Sequence, residues 1–139
     1  MNEAATGLAA EYIVLTDLLL SGYTAHRVDN PDSPFDLVLS TPTRLLRIQV
    51  KSTQYPKINA TRSPKHKYSF SIHTKYKNNT DIFAFVALDT RTILYEPTAE
   101  VFRNAGAGPG SQYKYYAPDD FSQKAPGSRE RAFSFCLVD

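Results

Sequence analysis

One cysteine in 139 residues has nothing to pair with, so the chain forms no internal disulfide and offers no cysteine pair for a structural zinc site. Cys136 lies in the apolar run AFSFCLV, where a lone thiol reads as a small core residue suited to a reducing compartment. Long hydrophobic runs are missing too. The most apolar one, IVLTDLLL, is short and broken by Asp17, and no basic region precedes an unbroken apolar stretch near the N-terminus. Neither a signal peptide nor a membrane span is expected, and the expected location is cytoplasmic. His26, His66 and His73 lack zinc-ligand spacing. No Gly-x-Ser-x-Gly elbow occurs. GAGPG at 106–110 lacks the Lys-Ser or Lys-Thr that a phosphate loop needs, so a plain loop is expected there.

The most informative absence is of negative charge. The net charge is only +2, yet no Asp or Glu occurs from 37 to 80. That span holds Arg44, Arg47, Lys51, Lys57, Arg62, Lys65, Lys67, Lys75 and Lys77, nine of the sixteen basic residues, leaving seven against fourteen acidic ones elsewhere. A solvated surface mixes signs. A single-sign block interleaved with Tyr55, Tyr68 and Tyr76 points to a polyanion, with His66 and His73 placed for phosphate contact. The plainer alternative is a basic loop without a ligand.

What is present fits one α/β domain, 1–139, large enough for its own core. Residues 5–21 read as an amphipathic helix with Leu8, Tyr12, Val14, Leu15, Leu18 and Leu19 on one arc, Ala10 and Asp17 opposite, and Gly22 ending it. Strands are expected near 23–28, 35–40, 44–52, 66–73, 82–88 and 92–97, with IFAFVAL as a central one because both its faces are apolar. A short helix is expected at 98–104, a long surface excursion at 105–130 and a final strand at 132–138. The core of the domain would span about 1–97. Residues 98–139 would then be a C-terminal elaboration for contact with the polyanion or for assembly.

RLLRIQVKS, residues 44–52, alternates Leu46, Ile48 and Val50 with Arg47, Gln49 and Lys51. A solvated outer face explains that alternation by itself. Two misplaced carboxylates compete with this reading. Glu11 falls within the apolar arc of the first helix, and Asp36 opens the apolar strand after Pro34 and Phe35. An ionised carboxylate in either place needs a positive partner or a metal. A salt bridge for Glu11 and a turn cap for Asp36 are the simpler answers. Strand pairing can bring Asp36 within about 5 Å of Gln49 and Lys51, and a helix packed on that same face could add Glu11. Two carboxylates, the Gln49 amide oxygen and the Val50 backbone carbonyl would make an all-oxygen site suited to Mg²⁺, or Mn²⁺ in its place, beside an ammonium able to orient water.

GLAAEY with Glu11, SPFD with Asp36, IQVKS with Gln49 and Lys51, and an apolar strand preceded by Asp81 together resemble the PD-(D/E)xK nuclease superfamily. The resemblance covers roughly the first 97 residues. It implies a restriction-endonuclease-like core, an N-terminal helix followed by a mixed sheet, and divalent-metal-dependent cleavage of nucleic acid. The motif's acidic residue is here Gln49, and a Gln-x-Lys motif in a small chain is most similar to the intron-encoded homing endonuclease branch. Glu11, Asp36, Gln49 and Lys51 would then be catalytic, the first three and the Val50 carbonyl holding Mg²⁺. Lys57, Arg62, Lys65, His66, Lys67, His73, Lys75 and Lys77 would grip double-stranded DNA. Cutting both strands with one site per chain implies a homo-oligomer, dimer or tetramer, with 105–138 as candidate assembly contacts. A Holliday-junction resolvase or other repair nuclease, a catalytically inert DNA-binding module and an RNA binder are the alternatives.

Overall fold

The computed structural model describes residues 2–59, 63–103 and 111–138. Helix α1 (Glu3–Leu20) starts at Asn2, whose side-chain oxygen accepts the Ala5 N–H at 2.8 Å. It stops before Gly22, whose φ of 89° suits a residue without Cβ. Strands β1 (Thr24–Arg27), β2 (Leu37–Ser40) and β3 (Leu45–Thr53) follow as an antiparallel meander. The basic segment then builds β4 (Lys57–Asn59) and the long β5 (Ser63–His73), which ends in a 3-10 turn at Thr74–Tyr76. Next come β6 (Ile82–Ala87), β7 (Thr92–Pro97), the short helix α2 (Thr98–Val101), β8 (Ser111–Tyr116), α3 (Pro118–Lys124) and α4 (Ser128–Leu137).

These elements form two sheets. The larger runs β1-β2-β3-β6-β7, mixed because β3 and β6 pair in parallel and all other neighbours antiparallel. The smaller runs β4-β5-β8. Every residue of β6 is buried, as expected of its two apolar faces. Ile82, Ala84 and Val86 join a core with α1 and α4, while Phe83, Phe85 and Ala87 join a second core with Tyr68, Phe70 and Ile72 of β5. Among the described residues no helix is long and apolar enough to cross a membrane.

Four expectations fail. The segment 132–138 is not a strand. It lies in α4, because Ala132, Phe133, Cys136 and Leu137 recur at helical spacing against the core while Phe135 faces out. The 105–130 stretch is no simple excursion either, since it contains β8 and α3; residues 104–110, GAGPG among them, lie outside the described residues. On α1 the core-facing row is Thr6, Ala10, Val14 and Leu18, so Val14 and Leu18 of the expected arc are buried, while Ala10, placed opposite it, is also buried and Leu8, Tyr12 and Leu19 are exposed. Tyr68, taken as part of a polyanion surface, is a core residue whose hydroxyl bonds Asp89 at 2.9 Å.

Candidate active site

The meander ends unevenly, and this creates the site. β2 covers β3 only as far as Ile48, where Leu37 is its partner. Beyond that point β3 keeps β6 on one side and, among the described residues, has no strand on the other. Asp36, the residue before β2, fills the gap: its N–H donates to the Ile48 carbonyl at 2.9 Å and its Oδ2 accepts the Val50 N–H at 2.8 Å. In an extended strand the N–H and C=O of one residue point to the same side, so the Val50 carbonyl also faces this open edge.

Around Asp36 the other candidates take their places. Glu11 reaches it from α1 and Lys51 from β3, each close enough for charge to be felt. Burial pushes the Asp36 carboxyl above the usual carboxylate range, although the Val50 N–H, Lys51 and Arg27 pull it down. Burial and then the Asp36 charge likewise raise Glu11, against the pull of Arg27. Burial lowers the Lys51 ammonium below its ordinary value; Asp36 opposes this and Lys75 adds to it. Lys51 Nζ lies over the Tyr76 ring, 4.9 Å from its centroid, and Lys75 Nζ lies 5.1 Å from the same centroid.

Gln49 and Lys51 share the face of β3 that continues onto Phe83 and Phe85, the face turned toward the small sheet. Gln49 is only 7 % exposed, which removes the solvated-face reading of RLLRIQVKS. No hydrogen bond from protein to its side-chain amide occurs among the described residues. Helix α1 does not pack on this face. It covers the opposite one, with Ala10, Val14 and Leu18 against Ile48 and Val50, so Glu11 comes to Asp36 from across the sheet.

Sequence reading missed Arg27. Its Nε donates to Glu11 Oε1 at 3.3 Å, its guanidinium lies 4.8 Å from the Tyr12 centroid, and its charge reaches Asp36. The salt-bridge explanation of Glu11 therefore holds in part. The only signal for Arg27 was an arginine in a short strand before the Asp36 turn. Arg47 is drawn away from the site instead, since Asp81 takes its backbone N–H at 2.7 Å and its Nε at 3.0 Å, with Arg44 as a third donor.

The expected phosphate-gripping residues spread over the small sheet and the turn after it. Lys57 pairs with Lys67 across β4 and β5, Lys65 and His66 are exposed, and Lys75 and Lys77 follow in the 3-10 turn. His73 has a structural task, its Nδ1 accepting the Lys75 N–H at 2.9 Å. Arg62 lies outside the described residues.

Among the described residues no three His, Cys, Asp or Glu side chains converge on a point able to hold a metal. The candidate donors are of another kind: two carboxylates, one amide and one backbone carbonyl, all oxygen, as hard divalent cations take. Two acidic groups raised by burial, Glu11 also by the Asp36 charge, are short of positive charge. A divalent cation fits that deficit.

No curated protein matches the chain closely enough in sequence to stand as a relative. Among solved structures, the bacterial homing endonuclease I-Ssp6803I superposes with a TM-score of 0.69 at 13% identity, over 97% of this chain and 96% of its own. The Holliday junction resolvase Hjc from the archaeal hyperthermophile Archaeoglobus fulgidus superposes with a TM-score of 0.58, also at 13% identity, over 91% of this chain and 95% of its own. Residues 1–107 match the PD-(D/E)XK endonuclease family, a span that contains Glu11, Asp36, Gln49 and Lys51. With that match over most of its length and the helix-plus-mixed-sheet fold to go with it, the chain belongs to the PD-(D/E)XK endonuclease family.

Proposed function

We propose that the chain is a site-specific, homing endonuclease-like enzyme that hydrolyses phosphodiester bonds in double-stranded DNA. The observation that carries this reading is Asp36, anchored on the Val50 N–H and close enough to Glu11 and Lys51 for its charge to act on both. Glu11, Asp36, the Gln49 amide oxygen and the Val50 carbonyl would hold Mg²⁺, or Mn²⁺ in its place. When bound, such an ion supplies Lewis-acid stabilisation of charge developing on the phosphate oxygens. Asp36 fixes its own carboxylate by the hydrogen bond to the backbone of β3, so its free oxygen has a set direction. Lys51, its ammonium pKa lowered by burial, can hold an attacking water and gives up its own proton more easily, so the neutral amine that can accept the water's proton is reached more readily. Tyr76 limits where that ammonium can go. Lys57, Lys65, His66, Lys67, Lys75, Lys77 and Arg62 supply the contacts to phosphates that fix register on a duplex. In this reading 1–139 acts as one nuclease domain.

Resemblance of fold at 13% identity favours neither a homing endonuclease nor a resolvase, and it is Gln49, in place of the motif's acidic residue, that supports the homing endonuclease reading. Incubation with supercoiled plasmid in Mg²⁺, with a chelator control, tests the nuclease reading directly. Linear product that vanishes with the chelator is expected. Plasmid left intact under all divalent ions while duplex binding persists would leave an inert DNA-binding module. Four-way junctions cut in preference to linear duplex would reassign the enzyme as a resolvase.

A further inference from the structure

The small sheet has an inner and an outer face. Tyr68, Phe70 and Ile72 of β5 and Tyr116 of β8 turn inward, onto the core that they share with Phe83 and Phe85. Their neighbours along each strand turn the other way, away from the large sheet and from the candidate active site. On β8 these are Tyr113 and Tyr115, 58 % and 38 % exposed, with ring centroids 6.0 Å apart and planes 24° from parallel. Opposite them on β5 stand Ser71 and Ser69, too short to cover a ring. Past Ser69 the same face continues to Lys67, with Lys57 of β4 as its cross-strand partner. None of the three strands contains an Asp or Glu. Tyrosine suits a strand by propensity, and that accounts for either ring alone. It does not account for two rings aligned in water on a face otherwise made of serine and lysine.

We propose that this outer face binds a single strand of nucleic acid, with two unpaired bases stacked on Tyr113 and Tyr115 and neighbouring phosphates held by Lys57 and Lys67. The chemistry of the face selects this occupant. An exposed aromatic ring attracts the flat face of a base whatever its sequence, and the lysines meet the charge of the backbone that carries it. A duplex keeps its bases stacked inside, about 3.4 Å apart, and offers the rings no flat partner. The 6.0 Å between the tyrosine centroids instead suits bases that have come apart. A neutral sugar could lie on a ring but would leave both lysines without a partner of opposite charge. Ribose and deoxyribose strands present the same bases and phosphates, so both sources belong to the proposal. The platform does not depend on the nuclease reading, because it lies on the far side of the small sheet from Gln49 and Lys51.

Fluorescence anisotropy of end-labelled oligodeoxyuridylate and oligouridylate, each of about ten nucleotides, with the full chain in chelator tests it. The parent should bind at least one of the two, and the tighter one names the sugar that the face prefers. Tyr113→Ala with Tyr115→Ala should weaken that binding at least about 30-fold, whereas Tyr113→Phe with Tyr115→Phe, which keeps both ring faces, should stay within about 3-fold of the parent. An abasic strand of the same length carries the same phosphates and should bind the parent about as weakly as the intact strand binds the alanine variant. Binding of a fully paired duplex should not respond to the alanine substitutions. Tyr113→Ala alone, at the more exposed position, should weaken binding by at least about 5-fold and serves if the double variant fails a circular-dichroism check. A parent that binds neither oligonucleotide, or that binds the abasic strand as well as the intact one, would overturn the proposal. So would alanine variants that bind like the parent, or that lose duplex and single strand equally. The chelator keeps cleavage out of the measurement. If plasmid stays intact with every divalent ion while oligonucleotide binding responds as stated, the platform stands and the nuclease reading falls.

Discussion

Asp36 holds a carboxylate where burial penalises the charge. Its raised pKa means that the folded protein binds this proton more tightly than the unfolded chain does. Stability from the group is therefore greatest at low pH and declines as pH rises through the folded pKa. Cleavage runs the opposite way, since the ionised forms of Asp36 and Glu11 are the ones that can hold a cation. Asp36→Asn should abolish cleavage and yet stabilise the fold at neutral pH by about 1 kcal/mol, a rise of about 4 °C in melting temperature, because an amide can keep the Val50 hydrogen bond without the charge. Calorimetry and a plasmid assay on one preparation would check both halves; a variant that melts below the parent would contradict the charge argument. Gln49 separates differently. Gln49→Ala removes a neutral oxygen and should cost cleavage at least about 100-fold, whereas Gln49→Glu restores a carboxylate and should retain activity while lowering the Mg²⁺ concentration for half-maximal rate. At this scale the sequence was readable where a polar residue interrupted an apolar pattern, as at Glu11, Asp36 and Gln49. Arg27 interrupts nothing in a polar neighbourhood, and its importance comes only from the chain folding back onto α1.

Strand β3 owes its register to a clamp at its far end. Asp81 receives three donors from Arg47 and one from Arg44, and although burial works against its charge, these hold its carboxyl below the usual range. A lowered carboxyl pKa gives stability that is present above the unfolded value of about 4 and is lost as pH falls through the folded one. Asp81→Asn should destabilise by about 2 kcal/mol, discounted from a fully buried pair because Arg47 is partly solvated, and the loss should shrink in acid. Urea melts at neutral and acidic pH would show it; equal losses at both would exclude the charge as the cause. Helix α1 and the strands up to β7, apart from the short β4 within the basic segment, were legible because local pattern and tertiary demand agree there. The C-terminal third was not. FSFCLV favours a strand by composition, but packing on β7 through Phe133 and Tyr95 selects the helix instead. The arc on α1 failed for a related reason: the helix carries apolar residues on two sides, and nothing in the sequence says which side the sheet will take.

Across the molecule, the basic block forms one side of the structure, β4, β5 and the turn that leads back to Lys51. Lys65→Ala with Lys67→Ala should flatten the dependence of log affinity for a mixed-sequence duplex on log salt by about two units, one for each phosphate released. An unchanged slope would remove these residues from the interface. The asymmetry of charge was visible in the sequence, whereas its disposition was not, because β8 joins β5 from far along the chain, Tyr68 pairing with Tyr116, and carries Tyr113 and Tyr115 onto the same small sheet.

β6 gives alternate side chains to two cores, Ile82, Ala84 and Val86 to one and Phe83 and Phe85 to the other, where Phe70 lies 4.9 Å from Phe85. Such a party wall ties the fates of the rooms it divides. If the small sheet peeled away, the Phe83 and Phe85 rings would be bared to water; if α1 and α4 left, the other face would be bared, and in neither case could the remainder stand closed. Heat should therefore melt both layers together, with calorimetric and van't Hoff enthalpies equal and with tyrosine fluorescence and backbone dichroism tracing one curve. Two separated transitions would show that each layer holds itself up.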